Sequence, residues 1–150
     1  MNLRMGLLSL FVIALTVACA EQDTEKHNET EVDLSSLSLA EQMDALIAAD
    51  KYDEALAILE AEELNQEILR LKEKVHLNYG IYIIYNSDPS QMRENANNGL
   101  RQFVAVLDIN RNNDKAVSEI EQIMGIYSTF PDRSPAEDVM EDLRRLGFDY

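Results

Sequence analysis

The chain contains few of the residues from which metal sites and catalytic centres are usually built. Its 150 residues include one cysteine, two histidines and no tryptophan. A single cysteine excludes an internal disulfide framework, a zinc finger and an iron–sulfur cluster. The sequence also lacks a glycine-rich phosphate loop and the Gly-x-Ser-x-Gly motif of a serine nucleophile. These absences weigh against an enzyme, and we expect no catalytic residues and no resident metal or cofactor.

Positive charge is scarce as well. Lys and Arg together number 13 against 28 Asp and Glu, which gives a formal net charge of -15 at pH 7. Such a chain repels the phosphate backbone of nucleic acids and cannot dock on anionic lipid through a basic patch. Hydrophobic residues make up 46% of the chain, which is typical of a globular protein with one domain. We therefore expect a protein or peptide partner, favoured if it is basic, and no nucleic acid.

The first eighteen residues have the pattern of an export signal. Arg4 is their only charged residue, and an apolar run follows from Met5 to Ala18. The run is shorter than the roughly 20 apolar residues that a membrane-spanning helix needs. It ends in Leu15-Thr16-Val17-Ala18-Cys19 and is followed by an acidic segment. This arrangement resembles the lipobox of bacterial lipoproteins, and it predicts a signal peptide over residues 1–18.

The resemblance implies that Cys19 carries the lipid. In that family the thiol at this position receives a diacylglyceryl group, the preceding peptide bond is cut, and the new amine is acylated with a fatty acid such as palmitate. The residue after the cysteine is Ala20 and not Asp. In Gram-negative members of the family this pattern indicates the outer membrane, so the resemblance implies a protein that is anchored there and faces the periplasm. Thr16 stands where the family usually has Leu. The alternative is an ordinary secretory signal, because Ala18 and Ala20 would also suit a standard signal peptidase.

A polar segment follows the export signal and precedes the expected folded domain. Residues 20–36 hold six acids, one Lys and two aliphatic residues larger than Ala. They bury too little apolar surface to offset the entropy of ordering, so residues 19–37 are expected to form a disordered acidic tether. The remaining residues, 38–150, are expected to form the folded domain.

Apolar residues in this domain recur at helical spacing. The longest such series, with intervals of three or four residues, is Leu64, Ile68, Leu71, Val75, Tyr79 and Tyr82. Capping boxes are predicted at Ser38–Glu41 and Ser134–Glu137, and Gly147 is predicted to end the last helix. The pattern predicts an all-α fold of about six antiparallel helices, arranged as three helical hairpins with short connections.

The first hairpin resembles a tetratricopeptide repeat. The matching residues are Leu39, Met43, Leu46, Tyr52, Ala55 and Leu59. The second hairpin matches less well, at Tyr79, Gly80, Ile83, Gly99, Phe103 and Val106. Met43 stands where the family prefers Gly or Ala, and Arg111 replaces the usual closing Pro. The resemblance covers residues 38–111 and implies a short solenoid that binds proteins, with Tyr79, Tyr82 and Tyr85 as candidate binding residues; the alternative is a generic helical bundle.

One further segment matches the spacing of a calcium-binding loop. The residues at positions 1, 3, 5, 7 and 12 of a twelve-residue EF-hand-like loop are Asp108, Asn110, Asn112, Asp114 and Glu119. Asn113 stands where Gly is usual, and Lys115 stands at a normally aliphatic position. The same residues also suit a polar turn that caps the next helix. The leading hypothesis is therefore a lipid-anchored, non-catalytic protein-interaction module of the bacterial cell envelope, and the alternative is a calcium-binding helical protein.

Overall fold

The computed structural model describes residues 34–150. In that range it contains six α-helices, one short 3-10 helix and no β-strand, which confirms the prediction of an all-α fold. The helices are α1 (Leu39–Ala48), α2 (Tyr52–Ala61), α3 (Gln66–Asn86), α4 (Met92–Ile109), α5 (Asp114–Tyr127) and α6 (Glu137–Leu146), with the 3-10 helix at Pro89–Gln91. Within the described range no helix is both long and apolar enough to cross a membrane. The predicted signal peptide, Cys19 and most of the predicted tether lie outside the described residues.

Local sequence signals set several helix ends as predicted. Ser38 and Glu41 form the capping box of α1, in which the Ser38 N–H donates to a Glu41 carboxylate oxygen at 2.8 Å. The hydrogen bonds from Ser38 hold the pKa of Glu41 below its ordinary value. Gly147 ends α6 with a φ of 95°, a left-handed conformation that favours glycine.

The second predicted capping box does not form. Helix α6 begins at Glu137, and Ala136 occupies the N-cap position without a side-chain cap. The backbone N–H of Ala136 instead donates to the side-chain oxygen of Asn97 on α4, at 2.8 Å. A tertiary hydrogen bond therefore holds the backbone at the start of α6, where a local capping box of Ser134 and Glu137 was predicted.

Helix α3 also starts later than its apolar series predicts. Asn65 is its N-cap, because the Asn65 side-chain oxygen accepts hydrogen bonds from the backbone of Glu67 and Ile68. Leu64, the first member of the predicted series, precedes the helix and is 66% exposed. The rest of α3 reaches Asn86, so the β-branched and aromatic stretch near its end is helical, as predicted.

Two clusters of buried side chains form the core. The N-terminal cluster, from α1, α2 and the first part of α3, comprises Met43, Leu46, Tyr52, Ala55, Leu59, Ile68, Leu71 and Val75. The C-terminal cluster, from α4, α5 and α6, comprises Leu100, Phe103, Val104, Val106, Leu107, Ala116, Ile120, Ile123, Met124, Val139, Met140 and Leu143. The later part of α3 packs against the C-terminal cluster through Leu77, Ile81 and Ile84. Helix α3 therefore belongs to both clusters and joins them.

Helices α3 and α4 make the most extensive helix contact, and two glycines allow it. A Cβ atom added at Gly80 would lie 2.6 Å from the Phe103 ring, and one added at Gly99 would lie 2.6 Å from the Ile84 side chain. Both distances are far below van der Waals contact. The absence of a side chain at these positions lets the two helices approach closely.

The helix contacts agree only in part with three hairpins. Helices α1, α2 and α3 contact one another, and α4 contacts α3, α5 and α6. The most extensive contact of α6 is with α4 rather than with the preceding helix α5. The third predicted hairpin required α6 to pack mainly against α5, whereas α6 packs mainly against α4.

Candidate functional site

Three tyrosines from two helices meet at the edge of the N-terminal cluster. Tyr52 begins α2, whereas Tyr79 and Tyr82 lie one turn apart on α3. The rings of Tyr52 and Tyr79 are stacked, with centroids 4.9 Å apart and planes within 5° of parallel. The Tyr82 ring is tilted by 44° against Tyr52, at 5.3 Å. Tyr52 is buried between α1 and α3, and Tyr79 and Tyr82 are partly exposed, so this aromatic trio presents ring surface to solvent.

The turn between α1 and α2 lies beside the trio. The N–H of Asp50 donates to the carbonyl of Ile47 at 3.1 Å, and the N–H of Lys51 donates to the carbonyl of Leu46 at 2.9 Å. This is the Schellman pattern that ends many helices, in which the left-handed position usually holds Gly. Here it holds Asp50, whose φ is 58°. The turn thereby brings the Asp50 carboxylate within 3.3 Å of the Tyr52 hydroxyl, which donates to it.

The turn, the start of α2 and the aromatic trio enclose a cavity of about 480 Å³, which we call the tyrosine groove. Its lining residues are Asp50, Lys51, Tyr52, Asp53, Glu54, Tyr79 and Tyr82. Lys51 pairs with Glu54, with Nζ 3.4 Å from the carboxylate oxygen. Among the described residues, neither Asp50 nor Asp53 forms an ion pair. The groove therefore combines aromatic surface with two carboxylates that no cation of the described chain neutralises.

Burial in the groove raises the pKa of two of its tyrosines, Tyr52 and Tyr79. Burial, followed by the charge of Asp50, raises the pKa of Tyr52 to about 12. Burial also raises the pKa of Tyr79, and the neighbouring Asp53 carboxylate adds to the effect. A raised pKa makes the tyrosinate form rarer, which is the opposite of what a tyrosine nucleophile or base requires. The groove therefore favours the protonated hydroxyls of Tyr52 and Tyr79, which can donate hydrogen bonds to the neighbouring carboxylates.

The structure brings together two of the three tyrosines proposed from the sequence and places the third elsewhere. Tyr85 is 53% exposed and lies outside the groove lining. Its hydroxyl donates to Glu119 at 3.0 Å and accepts from Gln122 at 3.1 Å, both on α5. The sequence pattern did not identify Tyr52 as a member of the aromatic trio, although Tyr52 is among the residues that match the repeat. That contact depends on how α2 packs on α3, which spacing along one helix does not reveal.

The backbone of the predicted calcium loop is mostly helical. Asp108 lies within α4 and Asp114 begins α5, so only residues 110–113 connect the two helices. The side chain of Asn113 accepts a hydrogen bond from the Ala116 N–H at 2.9 Å and caps α5. The connection is thus the polar capping turn that the sequence offered as the alternative.

The side chains of three of the five proposed calcium ligands, Asp108, Asn110 and Glu119, are bonded to other residues of the chain. Arg145 donates two hydrogen bonds to the Asp108 carboxylate, at 2.6 and 2.9 Å, and lowers the pKa of Asp108. Asn110 donates to Glu73 on α3 at 2.8 Å. The backbone N–H of Asn112 donates to the Asn110 side chain at 3.1 Å.

Glu119, the proposed bidentate ligand, is buried on α5 and forms an ion pair with Lys115 in addition to its bond with Tyr85. In the part of the chain that the structure describes, no three His, Cys, Asp or Glu side chains are placed to hold a metal ion together. His76 instead pairs with Gln102, 2.8 Å away, and links α3 to α4. The geometry therefore gives no support to calcium binding at residues 108–119.

The tyrosine groove is the candidate functional site because it unites exposed aromatic surface, a cavity and unneutralised charge. No protein-family model matches the chain, and searches of curated proteins and of solved structures found no match. The resemblances to bacterial lipoproteins and to tetratricopeptide repeats therefore rest on the motifs of this sequence alone.

Proposed function

We propose that the protein is a lipid-anchored component of the bacterial cell envelope that binds another envelope protein or peptide and has no catalytic role. The observation that carries this proposal is the tyrosine groove, where Tyr79 and Tyr82 remain partly exposed beside two unneutralised carboxylates. Tyrosines are frequent in binding hot spots because a large apolar ring and a polar hydroxyl occur in one rigid side chain. The chain's net charge of -15 favours a basic partner and faster encounter at low salt.

Attachment to the membrane is proposed from the lipobox at Cys19. Each buried methylene of a lipid contributes about 0.8 kcal/mol, so a single acyl chain binds reversibly whereas several chains form a stable anchor. Residues 19–37 would span at most about 65 Å if fully extended. That reach would allow the groove to meet partners well away from the lipid surface.

A short tetratricopeptide-like solenoid is the proposed arrangement of residues 38–111. In this family a small residue lets the second helix of a repeat pack closely on the first. Ala55 on α2 is fully buried in the N-terminal cluster, which suits that role. Gly80 and Gly99 permit the close approach of α3 and α4. The groove would then lie where the first hairpin meets the first helix of the second.

Site-specific photocrosslinking in intact cells tests the binding proposal. A photoreactive amino acid replaces Lys51 at the groove, which leaves all of its carboxylates in place, or, as a control, the exposed Glu60 on α2. We expect a crosslinked partner from position 51 but not from position 60, and we expect Asp53→Asn to remove it. Equal crosslinking from both positions, or a product that persists in the Asp53→Asn protein, would contradict a partner site in the groove.

The anchor is tested separately by Cys19→Ser. The substitution removes the thiol that would accept the diacylglyceryl group and leaves the apolar export segment unchanged. We expect loss of radioactive palmitate labelling and either an uncut precursor or a released soluble protein. The circular dichroism of the folded domain should stay the same, because residues 38–150 would fold independently of the lipid. Continued palmitate labelling of the variant would show that the lipoprotein proposal is wrong.

A further inference from the structure

The lining of the tyrosine groove also indicates what kind of side chain it binds. We propose that the groove binds an arginine side chain of the partner, with the guanidinium against the exposed rings of Tyr79 and Tyr82 and hydrogen-bonded to Asp50 and Asp53. This inference rests on the proposed function, because it names the chemistry that the same groove would recognise.

The groove carries a net negative charge. Lys51 is paired with Glu54, and the remaining side chains of the lining that are charged at pH 7 are the carboxylates of Asp50 and Asp53, both exposed to solvent. Each has an aromatic neighbour, since Tyr52 donates to Asp50 at 3.3 Å and the Tyr79 hydroxyl lies against Asp53. A tyrosine hydroxyl satisfies only part of the hydrogen-bonding capacity of a carboxylate, which has about four acceptor positions. A ligand with several N–H donors would complete the hydrogen bonding of both carboxylates.

The aromatic surface favours arginine over lysine. Lysine has a compact and strongly hydrated ammonium group, whereas the guanidinium is planar, weakly hydrated and able to stack on an aromatic ring. It also carries five N–H donors in a rigid plane, so it can contact a ring and bond two carboxylates at once. Since the groove offers ring faces and carboxylates side by side, it matches a planar cation better than a point charge.

Elsewhere in the same chain, one arginine packs on an aromatic ring and another bonds two aspartates. Arg133 lies over the ring of Phe130, with the guanidinium carbon 5.3 Å from the ring centroid. Arg145 donates to two aspartates, with hydrogen bonds of 2.6 Å to Asp108 and 2.9 Å to Asp142. The groove has the ring surface of the first arrangement and the paired aspartates of the second, without a cation between those aspartates among the described residues.

The test uses the full-length chain, labelled with nitrogen-15 in detergent, and three short peptides that differ only in a central arginine, lysine or citrulline. Citrulline has nearly the shape of arginine but no charge, so it separates shape from charge. We expect the arginine peptide to shift the amide resonances of residues 50–54 and 79–82. The lysine peptide should bind about tenfold more weakly, a difference of about 1.4 kcal/mol, and the citrulline peptide should cause no shift.

Variants assign the effect to the groove. Tyr82→Phe should keep arginine binding because it keeps the ring, whereas Tyr82→Leu should weaken it about tenfold. Asp53→Asn should weaken it by a similar factor, and Glu60→Gln, which makes the same charge change on the same helix outside the groove, should have no effect. If Tyr82→Leu unfolds the protein, the comparison of Asp53→Asn with Glu60→Gln still decides whether the groove carboxylate binds the cation.

Failure of this inference can be distinguished from failure of the proposed function. Equal affinity for the arginine and lysine peptides, both weakened by Asp53→Asn, would overturn arginine recognition and leave the groove as a binding site. Equal affinity for the citrulline peptide, or resonance shifts outside the groove, would also overturn it. Crosslinking from position 51 reports on the partner independently of any peptide, so its outcome bears on the proposed function alone.

Discussion

The two core clusters share helix α3 but differ in how the polar groups at their edges are paired. Around the C-terminal cluster two arginines pair with aspartates of a neighbouring helix, Arg101 with Asp138 on α6 and Arg145 with Asp108 on α4. At the groove of the N-terminal cluster, Asp50 and Asp53 have no cationic partner among the described residues. These two exposed carboxylates lie beside the aromatic trio, so a cation of another molecule can pair with them.

The two clusters also differ in where their aromatic side chains lie. Phe103 is fully buried between α3 and the C-terminal cluster, where it serves packing only. The aromatic trio stacks at the surface of the N-terminal cluster and lines a cavity. Stability is therefore expected to depend most on the C-terminal cluster and binding on the N-terminal edge, with α3 connecting the two.

The largest expected effect comes from Phe103→Ala. Removing a fully buried phenylalanine destabilises a protein by about 3–5 kcal/mol, because apolar burial is lost and a cavity remains. Urea unfolding, followed by far-ultraviolet circular dichroism, measures the change. The control is Phe130→Ala, which removes a partly exposed ring and should cost far less. Because α3 joins both clusters, we expect one transition in each variant. Two separate transitions for Phe103→Ala would show that the clusters unfold independently.

A smaller loss is expected from Gly80→Ala at the crossing of α3 and α4. The new methyl group would meet the Phe103 ring at 2.6 Å, and overpacking of this kind costs about 1–3 kcal/mol. Gly125→Ala is the matched control in helix α5, since no heavy atom lies within 4 Å of the added Cβ. There alanine should stabilise the protein by about 0.5–1 kcal/mol through helix propensity. Thermal unfolding that changes in the same direction in both variants would contradict close packing at Gly80.

The next predicted effect concerns Tyr52 at the N-terminal edge and occurs only in alkaline solution. The pKa of Tyr52 is raised from 10.0 to about 12, so the folded protein holds its proton more tightly than the unfolded chain does. The corresponding stability is fully present below pH 10 and is lost as the pH rises towards 12. Absorbance titration of tyrosinate near 295 nm should show a late-ionising tyrosine that is missing in Tyr52→Phe. Ionisation of every tyrosine near pH 10 in the folded protein would show that Tyr52 is not buried as described.

Local signals in the sequence predicted much of the fold. The helix count, the cap at Ser38 and the stop at Gly147 follow from residues that interact with their near neighbours. The predictions that failed depended on residues far apart in the chain. Asn97 bonds the backbone of Ala136 at the start of α6, where a local capping box of Ser134 and Glu137 was predicted, and Glu119 engages Tyr85 away from the other tyrosines.

The candidate site was predictable only in part for the same reason. Tyr79 and Tyr82 were identified because they lie on adjacent turns of one helix. Tyr52 joins them only when α2 packs on α3, and Asp50 faces the groove only because a non-glycine residue adopts a left-handed conformation. The charges of Asp50 and Asp53 could be read from the sequence, but the absence of a cationic partner within residues 34–150 depends on where the fold places the lysines and arginines of that range.

The smallest expected effect on stability comes from Asp50→Gly, and it separates the two roles of that turn. Glycine adopts the left-handed conformation without the steric cost that Asp50 bears, but it also gives the unfolded chain more entropy. We expect the free energy of unfolding to rise by about 0.5–1 kcal/mol as the net result. The same variant loses a groove carboxylate, so the arginine peptide should bind about tenfold more weakly, as for Asp53→Asn.

Asp50→Asn is the control, because asparagine also tolerates this conformation and keeps the side-chain shape while removing the charge. Binding loss in both variants, with a stability gain only in the glycine variant, would mean that the chain retains a less stable turn that places a carboxylate in the groove. Unchanged binding in both would mean that Asp50 only shapes the turn, and the contrast between the two edges would then depend on Asp53 alone.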